Sequence, residues 1–408
     1  SYNRDVTLTS DGPVEIPLPQ EVVASFQVNF VEKDKGLILT SDVPVVPVYR
    51  ITHRYSRMLA NLKGQGALGR NFRLASAVRA GGNEGTNERH FFSVMATEDS
   101  TVITIDESPY PLRGITLPYS VTLNAGETFL AVPDDATYHI TGTLVVAEKP
   151  VAVMAGTQTT IALGSGGNRD NSGDLVIPFS KIGKDYVVIR GGFSSSLHDY
   201  VMAVATVDGT QVFLDDDPAP QATLQAGEYA LIEITGNKGD PHYVHANRDV
   251  YIYHVSGTLS DQKWLGEFGM AVLPPINSSS CTGIKSIAVP KFSDTGAYSD
   301  LYIITPTTSL GSLTIDGQAY TSYGTAQPVP GYPEYSSIYL NQNTLPQNVN
   351  FIKSDDYFYV GHLVAVNGTG AYGYYSEYES RVDVLDPKLS LPTTYYVVDT
   401  VCLGSTVN

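Results

Sequence analysis

The chain has 408 residues, 42% of them apolar and only 16% charged, so it is long enough for several packed units and too apolar to stay disordered. Its formal charge of -17 argues against a nucleic-acid backbone or an anionic membrane surface as partner, because both require clustered Lys and Arg. With 37 Gly, 24 Pro and 27 Tyr, the composition points to a turn-rich β protein rather than a helical one.

From the N-terminus, "SYNRDVTLTS" has neither a basic n-region nor an apolar h-region, and no apolar run approaches the roughly 20 residues that cross a bilayer. The chain therefore reads as a mature or trimmed piece of a longer protein. "LILTSDVPVVPVYRI" (37–51) matches only the closing part of a repeat found further on, as though the chain began partway through a unit. The best helical candidate, "SRMLANLKGQGALG" (56–69), is interrupted by Gly64, Gly66 and Gly69, each costing about 1 kcal/mol relative to Ala, so almost no helix is expected.

A repeat then begins. "VMATEDSTVITID" (94–106) returns as "AVATVDGTQVFLD" (203–215), overlaying Ala96 on Ala205, Thr97 on Thr206, Asp99 on Asp208, Thr101 on Thr210 and Asp106 on Asp215. "LNAGETFLAV" (123–132) answers to "LQAGEYALIE" (224–233), and "VVAEKPVAVMAG" (145–156) to "VHANRDVYIYHV" (244–255). A more diverged third copy runs from "SDLYIITPTTSLGSLTIDG" (299–317) to "IKSDDYFYVGHLVAV" (352–366). The period is about a hundred residues. Within it, short β-branched and aromatic runs separated by turn dipeptides such as Asp208-Gly209 and Asp316-Gly317 predict antiparallel hairpins.

The expected fold is all-β, built of tandem or pseudo-symmetric antiparallel sandwich units, with a closed, propeller-like ring as the alternative. Turn clusters set the expected boundaries: 1–56 as N-terminal strands, 57–164, 165–263 and 264–385 as three repeat units, and 386–408 as a linker and the start of something else.

Common catalytic motifs are absent: no G-x-S-x-G elbow, no Walker-type G-K-[ST] and no H-E-x-x-H. His242 and His245 in "HYVH" stand three apart, which in a strand puts them on opposite faces, so they share a metal only if the backbone bends between them. "NRDNSGD" (168–174) imitates the first half of a calcium loop through Asn168, Asp170 and Ser172 with Gly173, and Asp174 adds a carboxylate, but Phe179 occupies the place of the closing Glu. Calcium is therefore a weak cofactor candidate, and the acidic run Asp215 to Asp217 is an equally weak one. Tyrosine is in excess over the single Trp264, clustering at 330–340 and 371–381. Tyr offers large amphipathic contact area, so Tyr332, Tyr335, Tyr372 and Tyr374 are the candidate ligand-binding residues, with sheet packing as their ordinary alternative.

Taken together, "HFFSVMATEDSTVITI", "LNAGETF" and "AEKPVAVMAGTQ", followed by "LVIPFSKIGKDYVVI" (175–189), resemble the IgGFc-binding protein N-terminal domain family over roughly 14–378. The tail phrase "VVDTVCLGSTVN" is similar to the opening of Ig-like or PKD-like modules in giant adhesins of the Bacteroidota. The resemblance implies a cell-surface adhesion module exported by the type IX route and recognising a glycan or protein surface, with neighbouring modules in the same long chain. It also implies that Cys402 pairs in a following module rather than with Cys281. It assigns no immunoglobulin-contacting residue. The alternatives are a stalk segment and a polysaccharide-active enzyme, which needs a cleft holding two carboxylates about 5 to 10 Å apart.

Overall fold

The computed structural model describes residues 4–8, 13–19, 27–33, 35–42, 45–53, 56–78, 89–161, 169–191, 198–258, 269–276, 281, 283–291, 298–366, 369–375 and 394–398. The chain is all-β, with helical structure among these residues confined to short 3-10 turns. No described helix is long and apolar enough to cross a membrane.

Three strands of 18 residues each, Leu144–Ile161, Pro241–Thr258 and Val349–Val366, organise the rest. Each pairs with one set of partners along its first half and another along its second. Leu144–Ile161 lies between Gly69–Arg73 and Thr101–Glu107 at its start, then between His90–Ala96 and Arg169–Val176. Pro241–Thr258 repeats this with Gly183–Ile189 and Thr210–Leu214, then His198–Ala205 and Gly269–Val272. Val349–Val366 does so with Ile284–Pro290 and Thr314–Ile315, then Tyr298–Pro306 and Thr369–Tyr375. The matched phrases of the repeat thus hold equivalent places.

The change of partners falls where the register shifts, between Val146 and Val151 in the first copy. Pro150 sits inside that shift, and a residue without an amide hydrogen is tolerated at such an irregularity because no ladder bond is asked of it. On either side, Val145, Val151 and Val153 are buried, as are Val244, Val250 and Ile252 in the second copy and Ile352, Phe358 and Val360 in the third. One bent strand therefore closes the core of two facing sheets.

The recurring phrases explain themselves as hydrogen bonds. Asp99 accepts from the Ala125 amide at 3.0 Å and Asp208 from the Ala226 amide at 2.9 Å. Glu127 and Glu228 each accept from the backbone three residues back, at 2.8 Å. Thr101 and Thr210 donate to the carbonyls of Glu98 and Val207 at 2.6 and 2.7 Å. Gly126 and Gly227 hold φ of 80° and 81°, left-handed values that Gly reaches without a side-chain clash. The Asp106/Asp215 overlay is corrected. Asp106 is a strand residue, whereas Asp215 turns at φ 52° and accepts from the Tyr243 amide at 2.9 Å. Its true counterpart is Asp316, at φ 51° and 2.8 Å from the Phe351 amide.

The hydrogen bonding also departs from the expected boundaries. Arg169–Val176 and Gly269–Val272 pair with the preceding long strands, because a run of turn residues marks a hairpin as readily as a linker. Among the described residues of the N-terminal segment, Val48–His53 pairs with Ser56–Asn61, and Leu37–Ser41 with Thr394–Val398, rather than with a long strand of a copy. A lone strand without its flanking partners has no core to close.

Arg169–Val176, Gly269–Val272 and Thr369–Tyr375 each touch the other two, and Ser56–Asn61 packs against the first and third of them, so the three copies gather around a centre. Burial on both faces follows: Tyr251 and Tyr253 are as buried as Val250 and Ile252, and the Tyr251 hydroxyl donates to the Ile177 carbonyl at 2.6 Å. Between the first two copies, backbones meet so closely that a Cβ on Gly142 would stand 2.2 Å from the Gly227 carbonyl oxygen.

Two stability outcomes follow, measurable by urea denaturation. Asp99→Ala and Asp208→Ala are each expected to cost about 1 kcal/mol and to be additive, since they break separate clamps. Gly142→Ala is expected to cost more than either, at least about 2 kcal/mol, because backbone must move to admit the methyl group.

Candidate binding site

The outward face of the second copy's first sheet carries a line of rings. Strand Pro241–Thr258 presents Tyr243 and His245 at alternate positions, and its neighbours place Phe213 and Asp185 directly opposite His245. Phe213 stacks on His245 at 4.9 Å between centroids and 10° between planes, and His245 on Tyr243 at 4.9 Å and 18°. The third copy extends the line. Tyr332 stacks on Tyr243 at 4.8 Å and 16°, and Tyr335 on Tyr332 at 5.9 Å and 25°.

Gly331 brings the two copies to this distance. It turns at φ 72°, and a Cβ there would stand 2.9 Å from Asp216 Oδ1, so the loop after Asp215 lies against the start of strand Tyr332–Asn341. On the far side, Lys238 pairs with Asp300 at 2.6 Å and lies over the Tyr339 ring at 5.1 Å. Tyr243 is buried, while Phe213, His245, Tyr332 and Tyr335 are half-buried, so the row is partly open to solvent.

Carboxylates border the row: Asp185 accepts from the Tyr243 hydroxyl at 2.5 Å, and Asp216 and Glu334 are exposed. Burial, followed by the bond and charge of Asp185, pushes the Tyr243 phenol up. Burial lowers His245 against the pull of Asp185, which favours the neutral ring in the stack. The row is thus a neutral aromatic surface with an acidic edge. Such a surface suits contacts with apolar or cationic groups of a partner.

The two histidines of "HYVH" have separate duties. His242 Nδ1 faces Asp215 Oδ2 and its Nε2 faces the Thr235 carbonyl, both at 2.8 Å, so both nitrogens donate when the ring is protonated. Burial opposes that charge, but the Asp215 bond and charge, the Thr235 carbonyl and the charge of Asp240 together raise the His242 pKa.

Of the other candidates, Asn168 lies outside the described residues and Asp170 is opposite Thr160 in a strand pair. Asp174 is no loop residue: its carboxylate is buried against Lys63. Asp217 caps a turn, accepting from the Ala219 amide and the Gln221 side chain at 2.9 Å each. Tyr372 and Tyr374 pair through backbone with Leu363 and Gly361, away from the ring row in the sheet. Phe213, Tyr243 and Asp185 were not singled out by sequence. Their one signal is the alternation of aromatic residues in 242–245, which gives no hint of what crosses from the next copy.

Residues 61–363 match the IgGFc binding protein family. The chain belongs to this family. No curated protein matches it. One solved structure to which it is similar is the viral chemokine binding protein R17 encoded by rodent gammaherpesvirus Peru, at 6% identity and a TM-score of 0.18, covering 83% of this chain and 98% of that one. A likeness at that score carries no argument. The matched span of the IgGFc binding family contains all five residues of the ring row.

The pH dependence of this family member separates two histidines. A raised folded pKa at His242 gives stability that is fully present below the ordinary imidazole value of 6.5 and is lost as pH rises through the folded value. The melting-temperature gap between the natural chain and His242→Gln is therefore expected to narrow from about pH 6 to about pH 8. His139, lowered to about 4 by burial and then by His90, acts oppositely, its contribution being lost as pH falls from 6.5 toward 4. His139→Gln is expected to reduce that acid-side loss in a thermal melt.

Proposed function

We propose that this chain is a non-enzymatic, extracellular binding module of a surface adhesin, and that the ring row Phe213, His245, Tyr243, Tyr332 and Tyr335 is its contact surface for a protein or glycan. The observation that carries the reading is that four of these five stacked rings remain only partly buried although they lie at a junction between copies. A junction serving cohesion alone gains most by burying its aromatic residues, as Tyr251 and Tyr253 do near the centre. The stacked rings are preorganised, so a partner loses little of its binding energy to ordering them. Family membership supports a binding role, and the family's name makes the Fc portion of immunoglobulin G a ligand to test.

The test is surface binding of the chain to immobilised mucin glycoprotein, its deglycosylated form, a glycan array and an IgG Fc fragment. Saturable binding to at least one is expected. Tyr335→Ala and Phe213→Ala, at the two ends of the row, are each expected to weaken it at least about tenfold while leaving the melting temperature within a few degrees. Binding unchanged by both substitutions would exclude the row as the contact surface. No binding to any surface, together with end-to-end assembly in solution, would favour a stalk.

A further inference from the structure

Lys63 follows strand Ser56–Asn61, and Asp174 lies in strand Arg169–Val176, at the place where the N-terminal hairpin meets the first copy. Their side chains are 0% and 4% exposed, and Lys63 Nζ stands 2.5 Å from Asp174 Oδ1. The adjoining Leu62 and Leu175 belong to one apolar cluster with Met58, Ala60, Ala67 and Met154. Lys63 also donates to the carbonyls of Asn61 and Leu175, at 3.3 and 3.0 Å. The carboxylate accepts from two amides: Leu175 to Oδ1 at 2.8 Å and Val272 to Oδ2 at 3.0 Å.

Two charges taken out of water at this depth carry a desolvation penalty that their mutual attraction must offset. Burial accordingly lowers Lys63 and raises Asp174, each against the pull of its partner, toward the amine and the acid. A neutral amine and a neutral carboxylic acid held in contact, away from bulk water, are the reactants of an amide condensation. A buried amide removes both charges.

We propose that Lys63 and Asp174 are joined by an intramolecular isopeptide bond from Lys63 Nζ to Asp174 Cγ. One ammonium proton passes along the short contact to Oδ1, leaving the amine beside the acid. The nitrogen lone pair attacks Cγ, and the carbonyl electron pair moves onto Oδ2, where the Val272 amide donates to the developing negative charge. A second nitrogen proton passes to the Oδ1 hydroxyl, the Cγ–Oδ1 bond breaks, and water leaves with that electron pair. Oδ2 regains its double bond and remains the amide carbonyl. An ammonium and a carboxylate become an amide and one water, with no oxidant or reductant.

The link closes a sequence separation of 111 residues and fastens the hairpin to the first copy beside Val272 of the second. Intact-mass spectrometry of the natural chain, purified folded, reduced and then denatured, is expected to give a mass one water below that of the sequence. Its digest is expected to yield a branched peptide containing Lys63 and Asp174. Lys63→Arg and Asp174→Ala are expected to have their full sequence masses. Full mass in the folded natural chain would overturn the proposal and leave a buried ion pair. A deficit that persists in Lys63→Arg, or maps to another pair of residues, would overturn it as well.

Discussion

A strand of 18 residues that must satisfy two different sets of neighbours is the constraint on which this molecule is built. Its first half needs two partners on one sheet and its second half two on another, and the backbone must bend between them without leaving amides unpaired in the core. Pro150 at the change of register in the first copy, and the exposed Asn247, Arg248 and Asp249 in the second, are local solutions to that bend. Hydrophobic residues inside the bend seal the space between the sheets, and everything else in a copy pairs onto this frame.

Each copy then meets the next through its turns. The loop before the second long strand reaches Tyr339 of the third copy through Gly239, and the loop before the first reaches Gly227 of the second. Tight backbone approach at these points needs Gly, and charge completes them where Lys238 meets Asp300. The ring row is a product of the same packing: it exists because the segment at Tyr332 is laid across the sheet that carries Tyr243. Neither half has more than three stacked rings alone.

Buried polar groups recur at equivalent positions with changed chemistry. In the second copy Asp199 meets His254 at 3.0 Å, and in the third Ser299 meets His362 at 2.8 Å with Gln342 beside it. Burial, with a lesser contribution from Arg50, lowers His362 to about 3, so this network holds a neutral imidazole. Both versions keep a histidine hydrogen-bonded to a polar side chain of the neighbouring strand, which is what a buried polar group at this depth requires.

Sequence alone determined the all-β class, the repeat and its order, because alternation and turn chemistry are local and recurring residues such as Asp99 and Asp208 leave their pattern in the chain. It drew out Tyr332 and Tyr335 as candidates, since the tyrosine density of 330–340 is a property of composition. Only the tertiary structure decided that the last strand of each copy turns back onto the preceding long strand, that Asp215 answers to Asp316, and that Asp174 faces Lys63. It alone put Phe213, His245 and Tyr243 in line with the two tyrosines. The reason is physical: a hydrogen bond between neighbours in sequence is written in their spacing, whereas a contact made across a hundred residues depends on where two finished surfaces come to rest.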